Sequence, residues 1–171
     1  MSGSVDRSEV RIRRGHIDLV ADEFATAQAR GTVLLLHGGG QTTHSWEETG
    51  RKLAAAGWSA VSIEARGHGD SGWAPDGDHS SDALVGDLAV IVDRYRNPVL
   101  VGASLGGVTT LVGVGEGRIT ARATVLIDVA PKIETAGTDR ISAFMREHAE
   151  WGFADLDEVA RAVSADLLEG V

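Results

Sequence analysis

The run Pro98-Val99-Leu100-Val101-Gly102-Ala103-Ser104-Leu105-Gly106-Gly107 constrains this chain more than any other stretch. Its first half is apolar and β-branched, the mark of a strand covered on both faces. It then breaks at Gly102-x-Ser104-x-Gly106 into small residues that suit a helix. A strand that becomes a helix within so few residues must turn sharply. Side chains at 102 and 106 would collide across that turn, and the serine between them is held in a strained conformation with its hydroxyl clear of the sheet. The five-residue pattern is weak by itself. Its specificity comes from the strand before it and the further glycine after it.

The rest of the chain fits around this turn. Val10 and Ile12, then Ile17 and Leu19, alternate with polar residues on either side of Gly15, which predicts two strands over residues 8–24 joined by a turn. Thr32 to Leu36 is a continuous apolar run and a third strand, ending in the loop His37-Gly38-Gly39-Gly40. Ser45-x-x-Glu48 reads as a capping box that starts a helix through Ala56, with Gly57 as its stop and Trp46, Thr49, Leu53 and Ala56 facing inward. A strand follows from Trp58 to Ile63. Ser80 or Ser81 caps the next helix, with Leu84, Leu88, Ile91 and Tyr95 as its buried stripe. The helix after Ser104 runs to about Gly113, and a sixth strand covers Ala123 to Val129. Residues 138–150 and 155–169 read as two further helices, the second with Leu156, Val159, Val163 and Leu167 on one stripe.

Strands and helices alternate from residue 32 onward, so the expected fold class is α/β, a mostly parallel sheet with helices on both faces. Ligands in such sheets bind at the carboxyl ends of the strands. The Gly38–Gly40 loop, Ser104 and Asp128 each fall at such an end. Gly38 and Trp46, close to that loop in sequence, are candidates for contact with a substrate.

Composition removes other classes of function. The chain has 171 residues, with 16 basic against 25 acidic side chains and a formal charge of −9, which disfavours a nucleic-acid backbone or an anionic membrane surface as partner. It contains no cysteine, which excludes disulfides, thiolate catalysis and Cys-ligated zinc. The first residues lack the apolar stretch of a signal peptide and no run suits a membrane helix, so a cytoplasmic protein is expected. Gly67-x-Gly69-x-x-Gly72 has the spacing of a dinucleotide loop, but Trp73-Ala74-Pro75 follows in place of a helix. The Gly38–Gly40 loop lacks the lysine of a P-loop. His68, Asp70 and His79 match no familiar metal spacing, and nothing calls for a metal or an organic cofactor.

Three motifs in order, His37-Gly38-Gly39, Gly67-His68-Gly69-Asp70-Ser71 and the Ser104 turn, resemble the α/β-hydrolase family over about residues 8–131. The resemblance implies a serine esterase on small carboxylic esters. Ser104 would be the nucleophile on its nucleophile elbow, and the backbone N–H groups of Gly39 and Leu105 would form the oxyanion hole. Ile127-Asp128-Val129-Ala130-Pro131 is similar to the segment that carries the catalytic acid after the sixth strand in a subset of these esterases. Asp128 is either that acid or a strand end making local hydrogen bonds. A serine at 104 argues against epoxide hydrolase or dehalogenase chemistry.

The family's sheet has eight strands and its histidine follows the last. The present sequence supplies candidates for six strands, and no histidine occurs after His148. It therefore resembles a truncated fold: residues 1–131 a partial core, residues 132–171 the start of a helical cap. His37 belongs to the oxyanion loop and His68 to the Gly-His-Gly corner. His16, His44, His79 and His148 read as structural or solvated. A serine without a base is a weak nucleophile, so a non-catalytic fragment or binding protein is an alternative, as is a cofactor-free haloperoxidase or perhydrolase. The sixth strand is expected to be an exposed sheet edge prone to self-association.

Overall fold

A computed structural model of the chain describes residues 7–130, 135–149 and 151–168. The described chain divides into two units, one ending at Val129 and one beginning at Ala130.

The first unit is built on a six-stranded sheet. Its strands are β1 (Arg7–Arg14), β2 (Ile17–Phe24), β3 (Thr32–Leu36), β4 (Ser59–Ile63), β5 (Val99–Ala103) and β6 (Ala123–Ile127), in the order β1-β2-β4-β3-β5-β6. The hairpin β1–β2 turns at Gly15, and β2 joins β4 antiparallel. From β4 onward the pairing is parallel, with Leu34 opposite Val61 and Leu35 opposite Val101. This is the mixed, largely parallel sheet that the alternation of elements predicts.

Helices cover both faces. β3 shows the division, because its side chains alternate between two cores. Val33 and Leu35 join Phe24, Ala54 and Ala60 beneath α1 (Glu47–Ala55). Leu34 and Leu36 join Leu88, Ile91 and Leu100 beneath α2 (Ser81–Val92) and α3 (Leu105–Gly115). Ser80 caps α2 by accepting the Ala83 N–H at 3.2 Å, and Gly57 (φ +85°) ends the turn after α1.

Local departures have local causes. A 3-10 turn over Thr43–Trp46 precedes α1, so the helix begins at Glu47 with no side-chain cap, and the Ser45–Glu48 capping box does not form. Trp46 and Leu53 pack inward as expected, but the fully buried residues of the helix are Gly50 and Ala54; Thr49 is half-buried and Ala56 is exposed past the helix end. Gly50 has to be small, since a Cβ there would meet the Phe24 ring at 2.5 Å. Tyr95 lies past the end of α2, and β6 stops at Ile127 because Asp128 takes φ +53°.

β6 is the sheet edge that the sequence predicts. All five of its residues are exposed, Val125 to 46% and Ile127 to 42%.

The second unit contains α4 (Thr135–His148) and α5 (Leu156–Leu168). Within it His148 stacks on Phe153 at 4.5 Å between ring centroids. The expected stripe on α5 is not a buried face at its start, because Leu156 is 85% exposed.

Candidate active site

The carboxyl ends of β3, β5 and β6 meet at Ser104. The residue has φ +45° and ψ −111°, outside the regions open to L side chains without strain, and it is exposed. Three backbone hydrogen bonds hold it there. Its N–H donates to the Ile127 carbonyl at 3.0 Å, its carbonyl accepts from Val108 at 2.8 Å, and the Gly106 N–H donates to the His37 carbonyl at 3.1 Å. The flanking glycines are sterically required. A Cβ on Gly102 would run into the Gly106 backbone, one on Gly106 would meet Leu36 at 2.5 Å, and one on Gly107 would approach Val129 at 2.9 Å.

The loop after β3 closes over the same point. An ideal Cβ on Gly38 would lie 3.5 Å from the Ser104 Cβ, whereas one on Gly39 would meet nothing within 4 Å. The amides of this loop fall into two groups. The Gly38 N–H donates to Gln41 Oε1 at 3.0 Å and the Gly40 N–H to His68 Nε2 at 3.1 Å. The N–H groups of Gly39 and Leu105 have no acceptor among the described residues. Two unengaged amide donors, one in the loop beside Ser104 and one on the residue after it, thus accompany an exposed serine hydroxyl that itself has no hydrogen-bond partner among the described residues.

His37 and His68 are part of the loop scaffold. His37 is 2% exposed; its Nδ1–H donates to the Gly38 carbonyl at 2.7 Å, and its Nε2 accepts the Ala65 N–H at 3.1 Å. His68 Nδ1–H donates to the Arg66 carbonyl at 3.1 Å while its Nε2 accepts from Gly40. The two rings lie 5.0 Å apart. Burial holds the His37 imidazole below its ordinary pKa, so it stays neutral. Each ring uses both nitrogens, which leaves neither free to take a proton from Ser104.

Asp128 follows the residue whose carbonyl receives the Ser104 N–H, so it stands at the same end of the sheet. Its carboxylate is exposed and accepts no hydrogen bond from a described residue. Trp46 is half-buried against the core under α1, and its indole N–H is buried without a partner among the described residues. A cavity of about 30 Å³ lies behind the turn, between Leu36, Leu88, Leu105 and Thr109. That is room for roughly one water, far below the ~300 Å³ of a small ligand pocket.

Two buried polar groups support the loops, and the motif reading did not single out either. Glu64, 4% exposed, sits under Gly67–Ser71: its Oε2 accepts the Asp70 N–H at 2.7 Å and its Oε1 accepts from Thr43 Oγ1 at 3.3 Å. Arg66 forms a bidentate pair with Asp87 of α2, at 2.6 and 2.7 Å, and Arg14 from β1 reaches the same carboxylate at 2.5 Å. The signal for Asp87 was present, since an acid between Leu84 and Leu88 on an apolar helix face needs a buried cation. Among the described residues no group of three or more His, Asp or Glu could hold a metal ion, and no helix is long and apolar enough to cross a membrane.

Comparison with known proteins gives the family and the fold. The family model of serine aminopeptidase, S33, matches residues 27–158. The esterase Rv0045c of Mycobacterium tuberculosis is 33% identical over 101 residues, which are 58% of this chain and 33% of that protein. An α/β hydrolase of Novosphingobium aromaticivorans superposes with a TM-score of 0.73 at 25% identity, covering 84% of this chain and 51% of its own. An epoxide hydrolase of Vigna radiata, at 22% identity and a TM-score of 0.63 over 81% of this chain and 46% of its own, shares the fold alone. The chain therefore spans between a third and about half the length of these relatives. On the family match, the sheet order and the strained Ser104 turn together, the chain belongs to the α/β-hydrolase family.

Proposed function

We propose that this chain carries the nucleophile and oxyanion half of a serine hydrolase acting on carboxylic esters. The observation that supports it most is an exposed, strained Ser104 beside the loop of Gly38, with the N–H groups of Gly39 and Leu105 unengaged among the described residues. In this reading Ser104 Oγ attacks the ester carbonyl carbon as its proton passes to a base. The charge developing on the carbonyl oxygen is stabilised by the two amides, each worth about 3 kcal/mol in the transition state. Collapse expels the alcohol, which takes up the proton, and water then cleaves the acyl–Ser104 ester. Asp128, at the end of β6, would orient the base. The partner is a small ester.

A second reading, a non-catalytic relative that only binds, is favoured by one observation: the Ser104 hydroxyl has no hydrogen-bond partner, and so no base, among the described residues. Added imidazole separates the two. Hydrolysis of p-nitrophenyl acetate by the chain should rise with imidazole beyond the buffer reaction, and Ser104→Ala should remove that excess. Equal rates for the two proteins would support the binding reading.

A further inference from the structure

The amino ends of the parallel strands, opposite the end that carries Ser104, hold a feature independent of the ester-hydrolase reading. Arg30 before β3, Arg96 before β5 and Arg122 before β6 line one surface cavity of about 400 Å³, together with Gly31 and Asn97. Arg30 and Arg122 are set in place by an aromatic ring: their guanidinium carbons lie 5.4 and 5.6 Å from the Trp58 centroid. Gly31 keeps this cluster close, since a Cβ there would stand 3.1 Å from Trp58 and 3.6 Å from Arg122 Nη1. None of the three arginines pairs with a carboxylate among the described residues, although acids outnumber bases by 25 to 16 in the chain. All three are exposed and line the same cavity, so their charges add to one positive field there.

We propose that this cavity binds a small phosphorylated anion bearing two linked phosphate groups. Guanidinium forks match phosphate oxygens bidentately, and three of them suit a diphosphate better than a single carboxylate. The ligand has to be small. A long polyanion would meet the field of a chain carrying −9, whereas a diphosphate held inside the cavity senses mainly charges within a Debye length of about 8 Å. Asn97, at φ +49°, adds an amide to the rim.

The test is calorimetric titration of the full chain with inorganic pyrophosphate at low salt. Saturable one-to-one binding that weakens with added salt is expected. Arg96→Glu, at a residue outside the two cation–π pairs with Trp58, should weaken it by about tenfold or more, and Arg122→Lys should weaken it less, keeping the charge but losing the fork. Arg13→Glu, which changes net charge equally on the far edge strand, should leave affinity within about twofold. Absence of saturable binding by the folded chain overturns the proposal. So does equal binding of citrate, an equal loss in Arg13→Glu, or unchanged affinity in both Arg96→Glu and Arg122→Lys.

Discussion

The Gly106 N–H donates to the His37 carbonyl at 3.1 Å, and this bond ties the helix that follows Ser104 to the loop that carries Gly39. Both oxyanion candidates therefore belong to one hydrogen-bonded frame, which the side chains of Gln41, His37 and His68 brace on the loop side.

That frame leaves no room at one end and open space at the other. A Cβ on Gly106 meets the Leu36 side chain and backbone, while one on Gly39 meets nothing within 4 Å. Gly106→Ala is expected to cost about 3 kcal/mol, the upper range of overpacking, and Gly39→Ala well under about 1 kcal/mol. Urea unfolding of the two variants measures both.

The Arg66–Asp87–Arg14 cluster links the corner loop, α2 and β1. Asp87→Asn should destabilise the fold by about 3–5 kcal/mol, because Arg66 then keeps its charge in a buried site without a counter-ion. Chemical denaturation is the readout.

His37 makes stability pH-dependent. Its folded pKa is depressed by burial, so the unfolded chain binds a proton first as pH falls through about 6.5. Stability from this group is complete above that pH and declines as the pH drops toward the lower, folded-state value. The midpoint of thermal unfolding should fall between pH 7 and 5, and His37→Asn should flatten that slope while lowering stability throughout.

The two sheet edges differ in how they are guarded. β1 presents Arg7, Glu9, Arg11 and Arg13, all exposed, whereas Ala123–Ile127 of β6 carries no charge. Self-association through β6 between copies of this chain is therefore expected. Sedimentation should show concentration-dependent oligomers that Val125→Lys disperses; a wild-type monomer at every concentration would contradict it.

Much of this was legible in the residues themselves. The strand pattern of β3 and β5 and the glycines around Ser104 are steric requirements with a sequence signature, and both the fold class and the strained turn follow from them. Element boundaries were less legible. On α1 the expected Trp46 and Leu53 do pack on the core, but its fully buried residues are Gly50 and Ala54, because Phe24, distant in sequence, leaves no room for a Cβ at 50. The buried Glu64 escaped for the same reason, and for Asp87 the sequence shows an acid on an apolar helix face but not the cations that meet it. Their partners, Asp70 and Thr43 for one and Arg66 and Arg14 for the other, become neighbours only once the sheet has formed.

The central claim is that Ser104 is a displayed nucleophile facing two free amides. Reaction with a fluorophosphonate, followed by intact-mass and peptide mapping, tests it most directly. A single adduct on Ser104 is expected, accelerated by imidazole and absent in Ser104→Gly, a variant that should also be about 1 kcal/mol more stable because the strain at φ +45° is relieved. An adduct elsewhere, or no adduct at Ser104 in the folded chain with imidazole present, would contradict it.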